Sequence, residues 1–272
     1  KKTMSIKLVA IDIDGTLVNN ERKITPEVYQ AIQDAKAAGV KIVITTGRPI
    51  AGVQDLLAKL KLNEPDNYVI TFNGALVQET ASGQEVIKDA LTYEDYLDIE
   101  LLATKLGVHS HAVTKDGIYT SNRNIGHYTV HEATLVSMPI FYRTPEENRQ
   151  REFVKTMYID EPTILDAAIA KIPKAYYERF TIVKSAPFYL ELLNKTSNKG
   201  TAVLHLAEKL GISVEETMAI GDEENDRAML EVVGHPVVME NGNPQLKKIA
   251  RHITKSNEES GVAYAIRKWV LD

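Results

Sequence analysis

The chain has 272 residues, a formal net charge of -5 and 44% hydrophobic residues, which is typical of a globular protein with a substantial core. The acidic balance argues against general binding to nucleic acid or anionic membranes, and the lack of cysteine excludes disulfides and thiolate metal sites. No apolar run is long enough for a bilayer span, and Asp12 interrupts the first apolar stretch before a signal-peptide core could form. We therefore expect a cytoplasmic protein with neither a membrane nor a nucleic-acid partner.

The first predicted strand is the apolar run at 8–11, which leads into an Asp-Ile-Asp-Gly-Thr sequence at 12–16. Side chains alternate between the two faces of a strand, so the carboxylates of Asp12 and Asp14 are expected to point the same way. Two carboxylates at such a short distance repel each other unless one is protonated or a metal ion or cationic side chain lies beside them. Taken alone, however, the pattern also fits a solvated acidic turn.

Strands and helices alternate in the first third of the chain. Thr25 and Pro26 predict the start of a helix that Gly39 closes, and a second apolar strand follows at 40–45. A helix at about 49–60 and a strand at 68–72 precede a hairpin signal at Asn73-Gly74. This order predicts right-handed β-α-β units and a parallel sheet.

The pattern of the sequence changes near residue 91 and stays different up to about residue 197. Between these positions we predict short alternating strands and helices, including a helix near 128–136 and strands at 153–159, 181–184 and 188–193. From residue 198 the βα alternation resumes. We therefore predict an α/β fold with two domains. Residues 1–85 and 194–272 form a Rossmann-like core with helices on both faces of a parallel sheet, and 86–193 form an inserted α+β cap domain.

Three further polar motifs follow predicted strands or begin helices: Thr-Gly-Arg at 46–48, Asn-Lys-Gly at 198–200 and Gly-Asp-Glu-Glu-Asn-Asp at 221–226. The carboxyl ends of parallel strands form the ligand crevice of such a sheet, so all four motifs are expected to meet there. Singly, each has an ordinary alternative: a helix-entry turn, an N-cap beside a surface lysine, and a solvated acidic turn. The last also lacks the ligand spacing of an EF-hand calcium loop.

The histidines offer no comparable signal. None of them has metal-ligand spacing, so surface or core positions are expected for His109, His111, His127 and His131.

In this order and spacing, the four motifs resemble those of the haloacid dehalogenase-like superfamily of aspartate-nucleophile phosphatases, and within it the Cof-type sugar-phosphate phosphatases. The resemblance extends over essentially the whole chain. It implies a Rossmann-like core with a C2B-type cap inserted between the second and third motifs. It also implies Mg²⁺ as cofactor, with Mn²⁺ as a substitute, and a small phosphorylated metabolite as the partner of a monomer or homodimer.

The resemblance assigns chemical roles to three acids. Asp12 would be the nucleophile, and Asp14 would protonate the leaving oxygen and later accept a proton from water. The metal would be held by Asp12, by the backbone carbonyl of Asp14 and by Asp222.

The same resemblance assigns phosphate binding to fixed donors that meet the developing charge. They are the amides of Ile13 and Gly47, the Thr46 hydroxyl, Lys199 and Asn225. Arg48 would either meet the substrate or pair with an acid, and Asp226 would brace its loop or Lys199.

Two other functions stay open. A non-catalytic phospho-aspartate switch combines acids, Mg²⁺, Thr and Lys at a similar crevice. The carboxyl group of Asp14, two positions after the nucleophile, instead favours turnover over a long-lived aspartyl-phosphate. A phosphomutase has the same type of core and cap. Specificity is expected to lie in the cap, where no motif identifies the substrate.

Overall fold

The computed structural model describes residues 5–272. Residues 1–4 lie outside this range. They are part of the predicted core domain and of the segment in which we expect no signal peptide. No helix within 5–272 combines the length and the apolar character needed to cross a bilayer. The described residues divide into two compact units, residues 5–87 with 198–272, and residues 88–197.

The first unit begins with five strands and two helices. In chain order they are β1 (Leu8–Asp12), α1 (Pro26–Ala37), β2 (Lys41–Thr45), α2 (Gln54–Lys59), β3 (Tyr68–Thr71), β4 (Leu76–Glu79) and β5 (Glu85–Lys88). The first unit resumes at residue 198, after the second unit.

The second unit contains α3 (Tyr93–Leu106), β6 (Ser110–Val113), β7 (Ile118–Thr120), α4 (His127–Leu135), β8 (Ile140–Tyr142), β9 (Lys155–Ile159), α5 (Pro162–Ile169), α6 (Lys174–Arg179), β10 (Phe180–Ala186) and β11 (Tyr189–Asn194). After it come α7 (Lys199–Lys209), β12 (Thr217–Gly221), α8 (Arg227–Val232), β13 (His235–Val238), α9 (Pro244–Lys247), β14 (His252–Ile253) and α10 (Gly261–Ala265).

An eight-stranded sheet forms the centre of the first unit, in the order β14-β13-β12-β1-β2-β3-β4-β5. All pairings from β14 to β3 are parallel, whereas β4 runs antiparallel to β3. The antiparallel pair follows from the turn at Phe72–Gly74, in which Asn73 takes a φ of +53°. The predicted Rossmann-like sheet is confirmed, with this hairpin added at one side.

Apolar side chains cover both faces of this sheet. On one face, Val9 and Ile11 of β1 pack with residues of α1 and α10. On the other, Leu8 and Ala10 pack with residues of α7. Successive side chains of β1 thus point to opposite faces of the sheet, and helices cover both faces, as predicted.

Local sequence signals explain the helix boundaries. The Thr25 hydroxyl accepts a hydrogen bond from the Val28 amide, and Pro26 occupies the first turn of α1, as predicted. The single helix predicted at 49–60 is instead a 3-10 turn at Ile50–Gly52 followed by α2. Val53 separates the two with a non-helical φ of -132° while its side chain is buried in the core.

The second unit is built on a six-stranded sheet in the order β10-β11-β9-β6-β7-β8. Its pairings are antiparallel except for β7 with β8. This confirms the α+β character expected of the cap. The three-residue strand β8 and helix α6 were not predicted, because short segments in a polar stretch carry little periodic signal.

The boundaries of the compact units lie slightly later than the predicted limits of 86 and 193. Strand β5 belongs to the sheet of the first unit and ends at Lys88. At the other boundary, the Thr196 and Ser197 hydroxyls donate to the Asp89 carboxylate, 2.5 and 3.0 Å away. The division into a catalytic core domain and an inserted cap domain at 86–193 stays a prediction.

Candidate active site

The strand ends of the first unit bring the predicted motifs together. Asp12 ends β1 and lies beside Thr45, the last residue of β2. On the other side of β1, Ile11 pairs with Ile220, so the residues that follow β12 reach the same edge. Lys199 begins α7, where the Asn198 side chain caps the helix by accepting from the Thr201 amide.

Lys199 joins two of these motifs through a buried ion cluster. Its Nζ donates to Asp12 Oδ1 and to Asp226 Oδ1, each at 2.9 Å, and its side chain is 0% exposed. Carboxylate oxygens of Asp12, Asp222 and Asp226 all lie within 4.8 Å of one another. One lysine therefore faces three buried acids.

Asp226 also shapes the loop that carries Asp222. Its Oδ2 accepts hydrogen bonds from the backbone amides of Asp222 and Glu223, at 2.9 and 3.2 Å. Gly221 permits this close turn, because a Cβ there would lie 2.6 Å from the Asp226 carboxyl carbon. Asp226 thus contacts Lys199 with one oxygen and the loop with the other.

Three acids and one lysine make this buried cluster negative when all of its groups are ionised, and burial opposes that charge. Desolvation raises the pKa of Asp12 well above its usual range, against the opposing effect of Lys199, and the nearby Asp226 and Asp222 charges raise it further. Desolvation also raises the pKa of Asp222 to about 6, although hydrogen bonds from its neighbours oppose the shift. A second cation would stabilise both carboxylates in their ionised forms.

The donor set fits a small, hard divalent cation. Asp222 Oδ1 accepts from the Thr16 hydroxyl at 3.0 Å, which fixes the carboxylate beside Asp12. Gly15 has a φ of +75°, and a Cβ at this position would lie 2.1 Å from Asp222 Oδ2. Carboxylate oxygens held in position without thiolate or imidazole ligands are what Mg²⁺ and Mn²⁺ prefer.

Asp14 is much more exposed than Asp12, whose side chain is 11% exposed, and the expected common direction of the two carboxylates stays a prediction. Strand β1 ends at Asp12, and the backbone turns away through Gly15. The Asp14 side chain is 63% exposed, and Arg48 Nη2 donates to its Oδ2 at 3.2 Å. The structure therefore pairs Arg48 with an acid, and metal binding by the Asp14 carbonyl stays a prediction.

The other predicted phosphate ligands lie on the same loops with different exposures. Thr46 is buried, and its hydroxyl accepts from the Arg48 amide at 3.0 Å. Gly47 lies against the Asn73 side chain, and the side chain of Ile13 packs in the core. Asn225 is exposed on the turn Glu224–Asp226. Their contacts with phosphate stay predictions.

Sequence reasoning missed two asparagines that support the site. Asn241 Nδ2 donates to the Gly15 carbonyl oxygen at 2.9 Å. The backbone N–H of Asn243 donates to the Asp222 carbonyl oxygen at 2.8 Å. Both lie in the loop after β13, another parallel strand. The rule that ligand-binding loops follow such strands could have identified them.

Gly15→Ala is expected to disturb Asp222 as well as the backbone. The left-handed φ alone costs about 1–2 kcal/mol for a residue with a Cβ, and the clash with Asp222 adds to that cost. Gly39→Ala is the matched control, because Gly39 has a φ of +85° and nothing within 4 Å of an added Cβ. Unfolding in urea should show a larger loss for Gly15→Ala, and calorimetric titration should show weaker Mg²⁺ binding in that variant only. Equal losses would contradict the clash.

Comparisons with known proteins identify the family of the chain. The haloacid dehalogenase-like hydrolase family matches residues 9–266. A putative phosphatase of Streptococcus pyogenes serotype M6 is 65% identical over 99% of this chain and 100% of its own. The 5-amino-6-(5-phospho-D-ribitylamino)uracil phosphatase YcsE of Bacillus subtilis is 32% identical over 100% of this chain and 98% of its own. The crystal structure of a haloacid dehalogenase-like hydrolase from Bacteroides thetaiotaomicron superposes with a TM-score of 0.83 at 26% identity, over 97% of this chain and 99% of that one.

Proposed function

Because the chain belongs to the haloacid dehalogenase-like hydrolases, among their Cof-type phosphatases, and is a phosphoric monoester hydrolase, we propose that it is a Mg²⁺-dependent phosphatase of small sugar phosphates or related organic monoesters. Asp12 is the proposed nucleophile. The observation that carries this proposal is the buried contact of Lys199 with Asp12, beside Asp222.

In the first proposed step, an oxygen of Asp12 attacks phosphorus. The new bond between phosphorus and carboxylate forms as the bond between phosphorus and the ester oxygen breaks. Lys199 holds Asp12 Oδ1 at 2.9 Å and favours the ionised carboxylate that the attack requires. Asp14 gives its proton to the departing alcohol oxygen, so the leaving group departs neutral.

In the second step, water attacks the phosphorus of the aspartyl-phosphate. Asp14, now ionised, takes a proton from that water, and the bond between phosphorus and Asp12 breaks. Inorganic phosphate leaves, Asp12 returns as a carboxylate and Asp14 is again protonated. The Thr46 hydroxyl, the amides of Ile13 and Gly47, Lys199 and Asn225 are proposed to bind the phosphate oxygens.

The proposed metal ligands are Asp12, Asp222 and the backbone carbonyl of Asp14. When bound, Mg²⁺ or Mn²⁺ supplies positive charge that offsets the phosphoryl charge and polarises a phosphoryl oxygen. Thr16 and Asn243 keep the residue-222 loop in place through hydrogen bonds to Asp222.

The proposed substrate class rests on a named relative. YcsE, which is 32% identical to this chain, is named for a phosphate ester of a ribityl chain, a small polyhydroxylated compound. We propose that this protein likewise acts on a small phosphorylated metabolite. We also propose that it does so in the cytoplasm.

Release of inorganic phosphate from p-nitrophenyl phosphate tests the reaction class. We expect steady release with Mg²⁺ or Mn²⁺, loss of release in EDTA, and recovery when Mg²⁺ is restored. Release of one equivalent of p-nitrophenol with the phosphoryl group kept on the protein would instead indicate a phospho-switch. Isomerised sugar phosphate without phosphate release would indicate a mutase.

Asp14→Asn is expected to slow turnover by about 10²–10⁴-fold, because it removes the group that transfers both protons. The loss should be smaller for p-nitrophenyl phosphate, whose leaving phenolate needs little protonation, than for an alkyl phosphate. The values of kcat/KM for p-nitrophenyl phosphate and glycerol phosphate, which report the first step and not the later attack of water, check this difference. Equal losses with both esters would contradict the assignment of Asp14 as the acid.

A further inference from the structure

The position of Asp14 depends on the backbone that carries it. Its side chain is 63% exposed, and its contact with Arg48, at 3.2 Å, joins it to a side chain that is 44% exposed. An exposed ion pair of this kind holds a carboxylate only weakly. The backbone that leaves β1 and continues through residues 15–20, which we call the acid loop, therefore sets where the proposed acid lies.

Asn257 holds the far end of the acid loop. It is 5% exposed, and its Nδ2 donates to the Val18 carbonyl oxygen at 3.1 Å and to Asn20 Oδ1 at 3.0 Å. These two acceptors use both protons of the NH₂ group. An ionised carboxylate of the same shape would have no proton for either acceptor, so the site calls for an amide.

A second asparagine extends this contact to the near end of the acid loop. The backbone N–H of Asn257 donates to Asn241 Oδ1 at 3.0 Å, and Asn241 Nδ2 donates to the Gly15 carbonyl oxygen at 2.9 Å. Gly15 directly follows Asp14 in the chain. Asn241 and Asn257, which we call the asparagine clamp, thus hold the acid loop at both ends.

The segment that carries Asn257 is itself fixed to the sheet. The backbone N–H of Thr254 donates to the carbonyl oxygen of Val238, the last residue of β13, at 3.0 Å. The Thr254 hydroxyl donates to the Gly261 carbonyl oxygen at 2.7 Å, and the Gly261 N–H donates to the Ser256 carbonyl oxygen at 2.9 Å. Asn257 therefore extends from a closed, sheet-anchored turn, which suits a residue that positions another.

We propose that the asparagine clamp positions Asp14 as the acid of the first step, which makes Asn257 and Asn241 positioning residues. The contact of Asp12 with Lys199 does not involve the clamp. Loss of the clamp should therefore displace the acid and leave the nucleophile in place, and a displacement of about 1 Å can cost about 10²-fold in rate. This inference rests on the proposed phosphatase function and adds the side chains that hold its acid.

Asn257→Leu tests the clamp with a neutral side chain of similar size. The substitution removes both Nδ2 donations without adding a charge. We expect kcat/KM for glycerol phosphate, whose alkoxide needs a proton to leave, to fall by about 10–10²-fold. The value for p-nitrophenyl phosphate, whose phenolate needs little protonation, should fall less than about threefold. Equal losses on both esters, or no loss on either, would overturn the proposal.

A double-mutant cycle separates positioning from a general structural role. If Asn257 acts through Asp14, its replacement has nothing left to displace once Asp14 is Asn. In the Asp14→Asn background, Asn257→Leu should therefore change kcat/KM for glycerol phosphate by less than about twofold. Losses that multiply in the double variant would mean that the two residues act independently, which contradicts the clamp.

Two further variants keep the test valid if Asn257→Leu does not fold. Asn241→Ala removes the hydrogen bond to Gly15 at an exposed position, so it should fold and show the same loss confined to glycerol phosphate. Asn67→Ala is the matched control, because Asn67 Nδ2 also donates to two backbone carbonyl oxygens, at 3.0 and 3.2 Å, but in the loop before β3. It should leave the ratio of the two kcat/KM values unchanged even where the unfolding temperature falls.

The outcomes distinguish this inference from the phosphatase proposal. If Asp14→Asn spares p-nitrophenyl phosphate but both clamp variants do not, the clamp fails and the phosphatase proposal stands. Equal losses on both esters for Asp14→Asn would remove the acid and this inference with it, while hydrolysis stands. If the unmodified protein hydrolyses only p-nitrophenyl phosphate, no acid is needed and only this inference fails. If it hydrolyses neither ester with Mg²⁺, both fail.

Discussion

Asp12→Asn is expected to reduce phosphate release by about 10⁴-fold or more, since it removes the nucleophile while keeping the shape of the side chain. Lys199 keeps its second partner, Asp226, at 2.9 Å in such a variant. The substitution also removes a carboxylate whose pKa burial raises well above its usual range. The circular dichroism spectrum and unfolding temperature should therefore stay close to those of the unmodified protein.

Asp55→Asn is the matched control for this loss. Asp55 is an exposed acid of α2, so the same substitution there should leave phosphate release within about twofold. Both variants should be assayed with p-nitrophenyl phosphate and Mg²⁺ after removal of trace phosphatases. Substantial turnover by Asp12→Asn would exclude Asp12 as the nucleophile.

Lys199→Met should be the most destabilising single substitution at this site. Burial alone would lower the pKa of Lys199, but the charges of Asp12 and Asp226 outweigh it, and the pKa is raised. Without the ammonium, both carboxylates stay buried with no cation. Removal of one partner from a buried ion pair costs about 3–5 kcal/mol, and urea unfolding at neutral pH in EDTA should show a loss of that size.

The metal provides an internal check on the Lys199→Met result. Divalent cations that bind the folded state stabilise it, so millimolar Mg²⁺ should recover part of the loss. Lys209→Met, at the exposed end of the same helix, should change the free energy of unfolding by less than about 0.5 kcal/mol. A similarly small change for Lys199→Met would contradict the buried contact.

The sequence predicted the elements with strong periodicity and strong end signals. Buried strands such as β1 and β12 appear as continuous apolar runs, and Thr25 with Pro26 marks the start of α1. The rule for the carboxyl ends of parallel strands then located Asp12, Lys199 and Asp222 without reference to long-range contacts. Those three residues meet although up to 210 positions of sequence separate them.

Other features depended on geometry that no local pattern encodes. The contact of Arg48 with Asp14 arises because the chain leaves β1 at Asp12 and turns at Gly15. The contacts of Asn257 with the acid loop join segments that lie 239 and 237 positions apart, which only the folded chain brings together. The helix predicted at 49–60 is interrupted at Val53, whose backbone φ of -132° is non-helical.

Acid quenching of Asp14→Asn during turnover, followed by peptide mass spectrometry, tests the central claim most directly. That variant forms the aspartyl-phosphate with a good leaving group but lacks the base that activates water, so the covalent intermediate should accumulate. We predict one phosphoryl group per chain, attached to the peptide that contains Asp12 and absent when Asp12 is also replaced by Asn. A phosphoryl group on any other residue, or none at all during measurable turnover, would contradict the account.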